Sequence, residues 1–136
     1  MRVLLLSYTK SDNRKQTEIL KKLEQTAVSC GHQVDVKSGE KDIEDIHLII
    51  YDYIAVIVPA SPLFGAKVPS KLPEVLSQCG NVSGKKGAAL VIKSGFSSAK
   101  MCNVVMKAME KEGMFVDYFE VVESVDHATA VGRKIG

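Results

Sequence analysis

The chain is 136 residues long, 46% hydrophobic and 25% charged, with a formal net charge of +2. That length supports one domain, residues 1–136, around one buried core. The near-neutral balance lacks the basic footprint of a nucleic-acid binder, and no apolar run is long enough to span a bilayer. The first apolar run, Val3 to Leu6, is too short for the core of a secretion signal and nothing resembling a cleavage site follows it, so a cytoplasmic location is expected. Cys30, Cys79 and Cys102 are odd in number, far apart and never form Cys-x-x-Cys, which argues for buried reduced thiols and against a disulfide framework or a zinc site. His32, His47 and His127 show no metal-ligand spacing.

In chain order, Arg2 to Ser7 is a compact apolar run and reads as a first strand. Arg14 to Cys30 carries Ile19, Leu20, Leu23 and Ala27 at helical spacing, with Gly31 as its stop signal. Gln33 to Lys37 predicts a second strand. Glu40 to Ile50, with Ile43, Ile46, His47 and Ile50, suits a short helix. Tyr53 to Pro59 is a continuous β-branched run, as expected of a strand buried on both faces. Pro69 to Cys79 predicts a helix with Leu72, Val75, Leu76 and Cys79 on one face. Gly87 to Lys93 predicts a fourth strand, and Ser98 to Gly113 a helix. Met114 to Val122 predicts a fifth strand, and Ser124 caps a short terminal helix.

Strand and helix thus alternate five times. Right-handed crossovers then give an α/β fold, a doubly wound five-stranded parallel sheet in a three-layer α/β/α sandwich. Five strands favour the order 2-1-3-4-5, with a switch point between strands 1 and 3 where ligands bind. The loops after strands 1, 3 and 4 converge there.

The first loop, Ser7-Tyr8-Thr9-Lys10-Ser11-Asp12-Asn13-Arg14, is rich in hydroxyls and precedes a helix N-terminus. Free backbone N–H groups, a positive dipole end and the Lys10 charge suit a phosphate, and the same residues equally suit a helix cap. The second, Ala60-Ser61-Pro62-Leu63-Phe64-Gly65-Ala66, offers Phe64 to a planar ligand or to the core, and Gly65 permits close backbone approach. The third, Ser94-Gly95-Phe96-Ser97-Ser98, adds a second glycine and aromatic on the same sheet edge, with Ser97 or Ser98 also suited to capping the helix that follows.

At these residues the chain resembles the flavodoxin-like FMN-binding proteins over nearly its whole length. Ser7-Tyr8-Thr9 with Asn13-Arg14-Lys15 is similar to the family's phosphate loop. Tyr51-Asp52-Tyr53-Ile54, then Ala60-Ser61-Pro62-Leu63-Phe64-Gly65 and Pro69, resembles its Tyr-Asp-x-Ile…Gly-Ser-Pro-x-Tyr-x-Gly-x-x-Pro segment. Gly84-Lys85-Lys86-Gly87 resembles its lead into strand 4. The resemblance implies a flavodoxin-like fold and FMN as cofactor. Ser7, Thr9, Lys10, Ser11 and Asn13 would hold the phosphate. Ser61, Pro62, Leu63, Phe64 and Gly65 would flank the flavin ring, and Ser94, Gly95 and Phe96 would close the other side. It also implies electron transfer, or redox chemistry of the NAD(P)H/quinone type, with FMN and a redox protein as partners, no nucleic acid or membrane, and room for a homodimer. If the chain is an enzyme, it would be an FMN-dependent oxidoreductase.

Three departures open a second reading, a flavodoxin-fold interaction module that has lost the flavin. Lys10 stands in a loop that lacks the family's glycine, Ala60 stands where glycine is common, and the chain has no Trp. A phosphoryl-signalling module on the same topology is disfavoured. Ser7-Tyr8-Thr9 lacks the acidic pair expected after strand 1, and Pro59-Ala60-Ser61 lacks the phospho-accepting Asp expected after strand 3.

Overall fold

The computed structural model describes residues 1–60, 67–94 and 98–136. The elements are β1 (Arg2–Ser7), α1 (Arg14–Ser29), β2 (Gln33–Ser38), β3 (Tyr53–Pro59), α2 (Lys71–Gln78), β4 (Lys86–Ile92), α3 (Ser98–Lys111), β5 (Phe115–Val122) and α4 (Val125–Gly132). The five strands form one parallel sheet in the order β2-β1-β3-β4-β5. The doubly wound flavodoxin-like arrangement expected from the sequence is the one observed.

Alternation along each central strand feeds two separate cores. Leu4 and Leu6 of β1 and Ile54, Val56 and Val58 of β3 join Leu72, Val75 and Leu76 of α2 and Met101, Val105 and Met109 of α3. Val3, Leu5, Tyr53, Ala55 and Ile57 join Ile19, Leu23 and Ala27 of α1 and Ala128 and Val131 of α4 on the other face. A strand that buries both faces has no polar positions, which is why β1 and β3 read as unbroken apolar runs. In α1 the fully buried Ile19, Leu23 and Ala27 recur every four residues and make one stripe. Gly31 and Gly80, just past α1 and α2, take φ of 96° and 132°, the left-handed conformation that ends a helix.

One expectation is overturned. The β2–β3 connection contains no α-helix, only two single 3-10 turns at Ile43–Asp45 and Leu48–Ile50, so strand and helix do not alternate five times. The inward residues are Ile46 and Leu48, two apart, while Ile49 and Ile50 face solvent. That spacing seats two side chains over the sheet without a helical turn. Leu48 N–H donates to the Cys79 carbonyl at 2.9 Å and fixes the segment against the end of α2.

One phenol ties β3 to β5, and a second ties the β2–β3 connection to β2. Tyr53 donates from its hydroxyl to the Asp117 carboxylate at 2.7 Å, beside a bulge where Gly87 pairs with Val116 and Ala88 with Tyr118. Tyr51 donates to Asp35 at 2.8 Å, with the Arg2 guanidinium 5.7 Å above its ring centroid.

Candidate anion site at the switch point

Parallel pairing sets the site. Ser7 closes β1 opposite Ile57 of β3 and Ser38 of β2, and Tyr8 N–H continues the ladder to the Ile57 carbonyl at 2.9 Å. Ala60 N–H reaches the Ile92 carbonyl at 3.0 Å, so the chain leaves β3 and β4 side by side. The loop after β1 and the end of β4 enclose a cavity of about 420 Å3 lined by Asn13, Lys15, Gln16, Ile92, Lys93 and Ser94. A cavity of about 260 Å3 on the β2 side of the same loop is lined by Ser7, Thr9, Ser11, Thr17, Ser38 and Lys41, among others. A cavity of about 720 Å3 is a groove between α2 and α3 whose lining includes the aliphatic Val68, Pro73, Val104 and Ala108. None of its lining residues belongs to the loop after β1, and size alone does not make it the site.

The loop from Ser7 to Asn13 is tightly hydrogen-bonded to itself. Ser7 is buried, and its Oγ lies 2.8 Å from Thr9 Oγ1 and accepts Thr9 N–H at 3.1 Å. Asn13 is the N-cap of α1, and its Oδ1 accepts Gln16 N–H at 3.1 Å. Gln16 Oε1 in turn accepts Lys10 N–H at 2.8 Å, and Asn13 N–H donates to the Lys10 carbonyl at 3.1 Å. The N–H groups of Ser11, Asp12, Arg14 and Lys15 have no partner among the described residues.

The first turn of α1 favours an anion, while Asp12, Glu40 and Asp42 line the cavities on the β2 side of the loop. The first turn of α1 carries no acidic residue and instead presents Arg14 and Lys15 beside the positive end of the helix dipole, an arrangement that disfavours an isolated helix. Arg14 is drawn off to Glu18 at 3.0 Å, whereas Lys10 and Lys15 make no ion pair among the described residues. The phosphate end of a nucleotide fits this donor set of free N–H groups, hydroxyls and two ammonium groups.

Ser7, Thr9, Lys10, Ser11 and Asn13, expected from the sequence to hold a phosphate, are thus brought into one loop, with Asn13 serving as the helix cap. Ser94 is half-buried two residues past the end of β4, and its N–H donates to Ser98 Oγ at 3.2 Å. Ser61, Pro62, Leu63, Phe64, Gly65, Gly95 and Phe96 lie outside the described residues. Sequence reading places Lys15 in the stretch that resembles the phosphate loop without assigning it a role, and does not single out Gln16. The Asn13-x-x-Gln16 spacing is the signal for the latter, since a Gln three residues after a cap folds back on the backbone ahead of the helix.

The expectation of buried thiols holds for Cys102 alone, since Cys30 at the end of α1 is exposed and Cys79 is partly covered. Burial pushes Cys102 above its ordinary value and does the same for Cys79. Among the described residues no three His, Cys, Asp or Glu side chains are placed to hold a metal ion, and no helix is long and apolar enough to cross a membrane.

No family model matches the chain, and no curated protein matches it. Solved structures do. A flavodoxin from the domain Archaea superposes with a TM-score of 0.69 at 18% identity, covering 99% of this chain and 96% of that one. The Streptococcus pneumoniae flavodoxin gives 0.72 at 14% identity, over 97% and 95%. A short-chain flavodoxin associated with a bacterial microcompartment gives 0.70 at 11% identity, over 99% and 96%. With the strand order and the layers described above, these likenesses identify the fold of this chain as flavodoxin-like.

Proposed function

We propose that the protein binds FMN at the β1/β3 switch point and works in electron transfer. The observation that carries this reading is the first turn of α1, which holds Arg14 and Lys15 and no acidic residue, set behind a loop of hydroxyls; four N–H groups of the loop and this turn have no partner among the described residues, at the place where an open parallel sheet receives its ligand. Ser7, Thr9, Lys10, Ser11 and Asn13 would hold the phosphate, joined by the Lys15 ammonium. The segments 61–65 and 94–96 would flank the ring. Bound flavin would supply the redox chemistry. The chain's own part is to fix the phosphate, exclude water from the ring and present hydrogen bonds to it.

The flavin-free reading draws on one specific observation, the occupation of Lys10 N–H by Gln16. Titration of the purified protein with FMN, followed by flavin fluorescence, separates the two. Saturable quenching at a stoichiometry of one supports the proposal. Unquenched flavin at high micromolar concentration would leave an interaction module on a flavodoxin-like scaffold.

A further inference from the structure

We infer that Gln16 is an internal occupant of the anion cradle, and that its carboxamide sets the affinity of the loop for phosphate-bearing ligands by competing with them. This rests on the phosphate reading of the loop given above. The carboxamide oxygen sits 2.8 Å from Lys10 N, and Lys10 has one of the loop's backbone donors. The backbone of Gln16 is held independently by the Asn13 cap, so the side chain can leave without unwinding the helix. It also has somewhere to go, because Gln16 lines the cavity of about 420 Å3 between this loop and the end of β4. An amide oxygen is a neutral acceptor of the same reach as a phosphate oxygen. A phosphate makes the stronger, charge-assisted bond and displaces it, at the cost of one neutral hydrogen bond.

The experiment compares wild type, Gln16→Ala and Gln16→Glu for binding of FMN and, separately, of inorganic phosphate. Alanine is a better helix former than glutamine and leaves the Asn13 cap intact, so the variant is expected to fold. Removing the competitor is expected to tighten binding roughly two- to tenfold, the equivalent of one net hydrogen bond. Gln16→Glu puts a carboxylate against Lys10 N–H and is expected to weaken phosphate binding about tenfold or more. If the wild type binds neither probe and Gln16→Ala gains phosphate, Gln16 is the occupant; continued failure of FMN would then count against the flavin reading alone. Unchanged or weaker binding by Gln16→Ala, with wild-type affinity measurable, overturns the inference and leaves the flavin reading standing. Absence of phosphate binding in every variant overturns it as well.

Discussion

The Tyr8 ring packs against the Cα of Gly39, in the space where any side chain at that position would stand. Tyr8 follows the last residue of β1 and Gly39 follows the last residue of β2. Gly39 N–H donates to the Ser7 carbonyl at 2.9 Å. The contact locks the loop after β1 to the start of the β2–β3 connection. The Tyr8 hydroxyl is buried there without a partner among the described residues.

Gly39→Ala is expected to destabilise the fold by about 1–3 kcal/mol, because the new methyl group forces the ring from its place. Tyr8→Phe removes a hydroxyl with no partner among the described residues and is expected to be neutral, or stabilising by up to about 1 kcal/mol. Urea unfolding measures both. A loss well beyond 1 kcal/mol for Tyr8→Phe would show that the hydroxyl has a partner in solution.

Stability is expected to fall above about pH 10. Burial raises the Tyr8 and Tyr53 phenols well above their ordinary value of 10.0, with the Asp117 hydrogen bond adding to the effect at Tyr53. Burial and the bond to Asp35 push Tyr51 up to about 12. The folded state therefore holds these phenols neutral while the unfolded chain releases their protons near pH 10. Their contribution is intact below that value and is lost as pH climbs toward the folded values. Urea midpoints at pH 8, 9, 10 and 11 check the sign, and Tyr53→Phe is expected to flatten the fall.

Lys15→Glu is expected to pull stability and binding in opposite directions. A carboxylate in the first turn of α1 complements the helix dipole and is expected to raise the stability of the ligand-free protein by about 0.3–1 kcal/mol. It also places a negative charge beside the cradle and is expected to weaken FMN binding. Thermal unfolding and flavin titration of one variant read both effects.

The three cysteines are expected to react at well-separated rates. Cys30 is exposed at the end of α1, Cys79 is partly covered, and Cys102 is buried with its Sγ directed at the Ala89 carbonyl at 3.7 Å. A chromogenic disulfide reagent should modify Cys30 first and Cys102 only on unfolding. Cys30→Ser should abolish the fast phase.

Most of the fold was legible because β1 and β3 bury both faces and so read as unbroken apolar runs, while α1 carries its stripe at Ile19, Leu23 and Ala27. The β2–β3 connection was not, because Ile43, Ile46 and Ile50 match a helical period while the residues actually buried are Ile46 and Leu48. The bulge opposite Gly87 has no local signature, since Phe115 to Val122 accepts any register by propensity alone. At the candidate site, the residues proposed to hold phosphate are legible as a hydroxyl-rich loop before a helix. The Tyr8–Gly39 contact joins residues 31 apart and has no trace in either neighbourhood. Gln16 was legible in principle, through its spacing from Asn13.

The most direct measurement is the affinity of the purified protein for FMN against riboflavin, which differs only in lacking the phosphate. If the loop from Ser7 to Asn13 and the first turn of α1 form a phosphate cradle, FMN is expected to bind at least about tenfold more tightly, since each hydrogen bond to a charged group contributes about 1.5–3 kcal/mol. Equal affinity for the two flavins, or binding of neither, would contradict a phosphate cradle at the switch point.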